Sequence, residues 1–372
     1  MPVTHLFVSA KSDGPDTTVV QPSDWNQDHV GSSMELTTIT DTPSTNQDNY
    51  DPTGWNGTHP SRATVIKLTP SATILITGLV GGTNGRVAII ENDSTDYMII
   101  IVPQSTSSTA ANRFRHTGGN IPLFLMPGDT VMYFYDNTDS RWEIVTSSYG
   151  TGLTNQFDMA DDFLATIGIY GTTVSGTGAS GQTGTYLVNS TERPIGVFQI
   201  DTGTTATGRA SIGSSSTNSI VPAQGAAFFL TRLAVEALSN GTERYQIFAG
   251  FHDAQAATNT TDGIYWSYRD DVSANWIRES AAASARTQNA SSTAVDTNYI
   301  WLGIFINANW SRADYFLSQD SAAWSIIGSN SATMPSSTQL VSVAVQINKT
   351  VGTTQRNCSV DFMGWRYDFQ RG

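Results

Sequence analysis

Chemistry in a protein begins with groups that bind metals, move protons or attack, so the histidines come first. They are His5, His29, His59, His116 and His252. None stands in an HxH or HExxH spacing, so no local histidine metal site is encoded. His252-Asp253 has the types for half of an acid–base pair, but a turn residue with a solvated ring is the preferred reading. The acidic pairs Asp161-Asp162 and Asp270-Asp271 are adjacent in sequence. On a strand, neighbours point to opposite faces, so each pair supplies one carboxylate at most to a glycosidase-type site. Asp262, Asp270 and Asp271 have calcium-binding types but lack a regular loop spacing. Asp262-Gly263 reads as a turn. Cys358 is the single cysteine, which excludes an intrachain disulfide and a cysteine zinc site. It reads as a small apolar strand residue.

Nucleotide and nucleophile motifs are missing. There is no GxSxG elbow, no phosphate-binding GxxxxGK[ST] loop and no dinucleotide fingerprint. The run from Gly171 to Gly184 has the glycines but neither the lysine nor the following helix. No catalytic residue, metal or cofactor is therefore expected. The aromatics are more informative. Trp266, Trp276, Trp301, Trp310, Trp324 and Trp365 crowd the last part of the chain. Indole and phenol rings stack on sugars, and they also fill cores and subunit interfaces. Core or interface is the favoured place for such rings; Trp266, Tyr268 and Trp310 are the candidates if any of them form an exposed glycan platform.

The elements that must hold these residues are short strands. Of 372 residues only 14% are charged, while 39% are hydrophobic and 10% aromatic. That is a folded composition, and it lacks a sustained helical period. The formal net charge of −13, with 19 scattered basic residues, argues against nucleic-acid binding. No apolar run is long enough to insert into a membrane. Met1-Pro2-Val3-Thr4-His5 does not open like a signal peptide, so synthesis in a bacterial cytoplasm is expected.

An all-β chain with three zones results. Residues 1–33 form a polar, extended N-terminal arm that cannot fold alone, yet it carries Phe7 and Trp25. Residues 34–149 hold a small β-sandwich or barrel domain. Its candidate strands are Thr64 to Leu68, Thr73 to Leu79, Arg86 to Ile90, Tyr97 to Val102, Ile121 to Met126, Thr130 to Tyr135 and Arg141 to Val145. Asn84-Gly85 between two of them is a hairpin signal, and Pro127-Gly128-Asp129 is a turn. No internal repeat of 20–50 residues is visible, which argues against a long β-helix. Residues 150–155 are a joint, and 156–372 form a larger antiparallel, jelly-roll-like β-sandwich. Leu233-Val235, Tyr245-Ile247-Ala249-Phe251 and Val341-Val343-Val345-Ile347 place apolar groups on one face. Tyr299 to Ile306 is apolar on both faces, so that strand should be covered on both sides. Met363, Trp365, Tyr367 and Phe369 share one face.

A resemblance joins these readings. His5-Leu6-Phe7-Val8-Ser9-Ala10-Lys11 through Pro22-Ser23-Asp24-Trp25-Asn26-Gln27-Asp28-His29 is similar to the opening of tailed-bacteriophage structural proteins. Leu68-Thr69-Pro70 and Ser107-Ser108-Thr109-Ala110-Ala111-Asn112-Arg113-Phe114 are similar to β domains that follow it there. Asp161-Asp162-Phe163, Gly241-Thr242-Glu243-Arg244-Tyr245 and Thr261-Asp262-Gly263-Ile264-Tyr265-Trp266 resemble phage modules with a concanavalin- or laminin-G-like sandwich. The resemblance implies a virion surface protein: a fibre, spike or capsid decoration anchored to other virion subunits by Phe7, Trp25, Asn26 and His29. It implies a homotrimer, whose distal sandwich contacts a host cell-surface glycan. A dedicated receptor-binding tail protein is the alternative, and a glycan hydrolase is a third. Activity on purified polysaccharide separates the last from the others.

Overall fold

The computed structural model describes residues 37–55, 64–116, 119–148, 156–161, 163, 170–183, 196–214, 220–254 and 259–369. Phe7, Trp25, Asn26 and His29, expected to make the attachment, lie outside the described residues with the rest of the expected arm and the 150–155 joint. So does Asp162.

The described chain opens with β1 (Thr37–Asp41), β2 (Thr64–Leu68), β3 (Ile74–Ile76), β4 (Val87–Asn92) and β5 (Ile99–Ile101). A short 3-10 turn at Ala110–Asn112 precedes β6 (Phe114–Arg115), β7 (Leu123–Leu125), β8 (Thr130–Asp136) and β9 (Arg141–Ser148). Alternation decides which side chains point inward. In β2 and β4, Ile66, Leu68, Ala88 and Ile90 are buried while Val65, Lys67, Ile89 and Glu91 are less so. β1, β2 and β4 run parallel, with Ile39 beside Ile66 and Ile66 beside Ile90. In the facing layer β3 runs parallel to β5, and Gln47 bridges in parallel to Ile76. The chain thus makes successive coils without repeating its sequence. β8 then joins β4 antiparallel, β9 joins β8, and β7 joins β5.

This geometry corrects the hairpin expected at Asn84-Gly85. A turn does form there, with Gly85 at φ 76, but it joins β3 and β4, which belong to different sheets. The core between the two sheets holds Trp55, Trp142, Tyr133 and Phe114. Both indoles are satisfied: Trp55 Nε1 donates to the Val80 carbonyl and Trp142 Nε1 to that of Leu79, each at 2.7 Å. Arg86 lies 3.5 Å over the Trp55 ring and donates to the carbonyls of Gly81 and Trp55.

The second unit is a two-sheet antiparallel sandwich. Its strands begin with β10 (Gln156–Asp161), β11 (Gly171–Ser175), β12 (Ser180–Thr183), β13 (Phe198–Asp201), β14 (Arg209–Gly213) and β15 (Gly225–Val235). Next come β16 (Tyr245–His252), β17 (Gly263–Arg269), β18 (Ser273–Ala282), β19 (Ala285–Ala294) and β20 (Ile300–Ile306). The last are β21 (Ala313–Ser318), β22 (Trp324–Asn330), β23 (Ser342–Lys349) and β24 (Asn357–Phe369). One sheet is ordered β12-β13-β24-β15-β20-β21-β22, with β10 also on β24; the other is β11-β14-β23-β16-β17-β18-β19. Between them lie the alternating residues read from the sequence, including Ile247, Phe251, Val343, Val345, Met363 and Tyr367. Cys358 sits in this core, as a small apolar residue would.

β20 is buried along its whole length. Ile300, Leu302, Ile304 and Ile306 face the sandwich core, while Trp301 and Phe305 face outward into a second cluster. That outer cluster is shared with the first unit. Leu75, Met98, Ile100 and Met126 meet Leu230, Trp301, Phe305 and Phe316 there, and Phe124 packs against Phe228, Phe316 and Trp324. Two polar clasps flank the apolar contact. Arg366 of β24 makes a two-pronged bond to Asp129 at 2.6 and 2.9 Å, with both groups buried. Asp129 is positioned by the Pro127-Gly128 turn, where Gly128 adopts φ 86. Burial by itself would lower the Arg366 pKa, but the bonds to Asp129 and Asp368 outweigh it and hold the group above its ordinary value. In the second clasp Arg312 donates to the Asp96 carbonyl at 2.7 Å and lies 3.8 Å from the Tyr97 ring centroid. Thr73 bonds to Asp314 beside it.

Candidate functional site

The exposed aromatic platform, the less favoured reading of the sequence, is not formed by its three candidates. Trp266, Tyr268 and Trp310 are 0%, 3% and 1% exposed, and all belong to the sandwich core. Trp266 Nε1 donates to the Gly303 carbonyl at 3.0 Å and Trp310 Nε1 to the Gly225 carbonyl at 2.9 Å. The strand period that made Trp266 and Tyr268 share a face put that face inward. Rings already packed and satisfied offer no surface to a sugar.

The polar candidates also have structural occupations. His252 is fully buried, not solvated in a turn; its ring lies edge-on to Phe248 and Tyr265, and Nδ1 accepts from the Ala254 N–H. Burial pushes its pKa down to about 4, against a weaker opposing pull from Asp253. Asp270 accepts from Ser239 and pairs with Arg244. Asp262 accepts from the Ala283 N–H and the Gln339 amide. No cluster able to hold a metal ion occurs among the described residues.

Glu279, which the sequence did not single out, is fully buried in the sandwich. Its oxygens accept from Tyr265 and Arg286 on one side and Ser267 on the other, at 2.9, 2.7 and 2.7 Å. A carboxylate so occupied stitches β17, β18 and β19 together. Fully buried with both oxygens engaged, it is out of a substrate's reach.

Open space edged by polar groups occurs elsewhere, on either side of the β21–β22 turn. One cleft of about 480 Å³ lies in the crease between the two units. Its walls include Asn46, Asp48, Gln104 and Ser105 from the first unit and Asp320 and Trp324 from the sandwich. The other, about 500 Å³, lies between the same turn and β19, with Ser291, Thr293, Gln319 and Ser325 in its lining. Both volumes fall in the range of small-ligand sites. The turn is held firmly. Trp301 Nε1 donates to Ser321 Oγ at 2.8 Å, and Trp324 Nε1 donates to the Ser321 carbonyl at 3.0 Å. Asp320 Oδ1 accepts from the N–H groups of Ala323 and Ala322 at 2.7 and 2.9 Å, and from Ser318. Those bonds, the Ala323 N–H first, hold its carboxyl below the ordinary carboxylate value. Asp320 is thus an oriented anion with Oδ2 uncommitted among the described residues. Across the crease Gln104 sits at φ 53, and Ser321 at φ 66 on the turn, so both walls hold a side-chain-bearing residue in left-handed backbone. The sequence offered one signal for this place, the polar Ser318-Gln319-Asp320-Ser321 between apolar strands. It offered none for Asn46 or Gln104, which only the inter-unit packing brings near.

The family-model match lies within the sandwich unit. No curated protein matches the sequence. Among solved structures, a protein of unknown function, SO2946, from Shewanella oneidensis MR-1 shares 16% identity over 59% of this chain and 90% of its own, with a TM-score of 0.46. Peanut lectin with a bound 9mer peptide shares 7% over 59% of this chain and 100% of its own, TM-score 0.37. The CBM2 module of the evolved Dit of Lactobacillus casei BL23 phage J-1 shares 10% over 59% and 98%, TM-score 0.39. Residues 192–361, from just before β13 into β24, match the family model described as SO2946-like, C-terminal domain.

Proposed function

We propose that this chain is a non-enzymatic structural protein of a bacteriophage appendage, held to other virion subunits by residues 1–33, and that it touches host cell-surface glycan through the crease beside Asp320. The observation that carries the reading is the crease itself. It sets amide, hydroxyl and carboxylate groups within a partly apolar lining, its walls come from both units, and it is edged by Trp324. Amides, hydroxyls and an oriented carboxylate are the groups that exchange hydrogen bonds with a polyhydroxylated ligand. The apolar contact and two clasps between the units keep those walls in register, as a part that projects from a particle and meets a surface needs. The test is binding of the purified full chain to surface polysaccharide of the host, followed by calorimetry, with released reducing ends assayed in parallel. Binding without release of sugar is expected. Release would replace this reading by the hydrolase, and absence of binding would remove the glycan contact.

In the same reading the chain is a homotrimer at the virion surface. Light scattering should give about three times the 40.0 kDa chain mass. A stable monomer at micromolar concentration overturns the trimer. Deletion of 1–33 should leave the sandwich folded and abolish incorporation into particles.

A further inference from the structure

We infer that the clefts on the two sides of the β21–β22 turn form one track for an extended, uncharged polysaccharide chain, with Asp320 as the acceptor common to both halves; this rests on the glycan reading above. Three observations carry it.

The clefts meet at the turn. Asp320 and Ala323 line both. A terminal sugar would need one such space, whereas two spaces joined over a single ridge fit a ligand that continues in both directions.

The charge is one-sided. Asp48 and Asp320 line the crease, and no lysine or arginine lines either cleft among the described residues. Glycans rich in carboxylate, sulfate or phosphate would be repelled, and they would find no bidentate partner. Neutral hydroxyls and N-acetyl groups can both donate to the carboxylates and accept from Asn46, Gln104 and the Thr293 hydroxyl.

The central acceptor is fixed before binding. Asp320 Oδ1 is tied to two backbone N–H groups, and both indoles below hold Ser321. Little ordering remains to be done when a ligand hydroxyl meets Oδ2, so the contact retains most of its strength.

The experiment titrates the full chain with neutral glucan and chitin oligosaccharides of increasing length, with hyaluronan oligosaccharides of matching length, and with extracted host polysaccharide. Variants are D320N, which keeps an amide oxygen for the turn, T293W in the β19-side cleft and N46W in the crease. Asn46 and Asp320 are exposed and Thr293 is only partly buried, and unchanged circular dichroism confirms the fold. Affinity should rise with length beyond what one cleft can hold, and hyaluronan should bind more weakly. D320N should lose about tenfold or more, the size expected for a hydrogen bond to a charged group. Each tryptophan variant should abolish the gain from added length. Wild-type binding that is independent of length, prefers hyaluronan, or survives D320N and both tryptophans overturns the track while the glycan reading stands. If neither the oligosaccharides nor the host polysaccharide bind wild-type protein, both fall together.

Discussion

Asp129 and Arg366 show how much can depend on one buried pair. Arg366 is buried, and three other groups of the clasp are carboxylates or backbone. Removing Asp129 leaves buried Arg366 with only the partly exposed Asp368, so the loss falls toward the low end of the about 3–5 kcal/mol for a broken buried pair, whereas replacing both Asp129 and Arg366 by apolar groups of similar volume is commonly neutral. Asp129→Ala should therefore lower the denaturant midpoint sharply, and the pair Asp129→Leu with Arg366→Met should recover most of it. Equal losses for the single and double variants would show that the clasp does not act as a pair. His252 gives a pH dependence of known sign. Its folded pKa, about 4, lies below its unfolded value of 6.5, so the unfolded chain binds the extra proton in between. Stability is then full above 6.5 and falls as pH drops toward 4, by at most about 1.4 kcal/mol per unit. His116, also lowered by burial, adds in the same direction. His252→Gln should flatten the difference between pH 6.5 and 4 in urea titrations; an unchanged slope would exclude His252 as its source.

At the scale of elements, close packing across β20 and β21 sets the tolerance. A Cβ on Gly303 would meet the Phe316 ring at 1.9 Å. Phe316 also belongs to the contact between the units, so its displacement would be felt on both faces of the sheet. Gly303→Ala should cost about 1–3 kcal/mol by overpacking. Gly241→Ala, where nothing lies within 4 Å, should cost far less. A thermal melt of the two variants checks the contrast. The coil of β1, β2 and β4 teaches a different point. Parallel pairing needs only apolar groups at matching positions, Ile39, Ile66 and Ile90, spaced by offsets of 27 and then 24 residues. Unequal offsets leave no repeat to find in the sequence.

Over the whole molecule, the contact between the units should make them unfold together. Phe124 is its centre, touching Phe228, Phe316 and Trp324. Wild-type protein is expected to give a single calorimetric transition. Phe124→Ala should cost about 2 kcal/mol, below the 3–5 kcal/mol of a fully buried ring, and should split the transition in two. Two transitions already in the wild type would mean that the units are independent.

The sequence by itself determined the strands. Period-two alternation located β15, β16, β23 and β24, and continuous apolar residues on β20 correctly required cover on both faces, because a strand's side chains can reach only its two neighbouring layers. It also carried no phosphate-binding motif, and its single cysteine left no cysteine-based zinc site to look for. Only the tertiary structure decided which face of each strand is inside. Trp266 and Tyr268 were rightly placed on one face, but alternation is symmetric and does not say which face meets the other sheet. It likewise turned Asn84-Gly85 from a hairpin into a crossing between sheets. The crease beside Asp320 brings Asn46, Gln104 and Trp324 together from two units. Sites of that kind are made by packing across long separations, and no local pattern carries them.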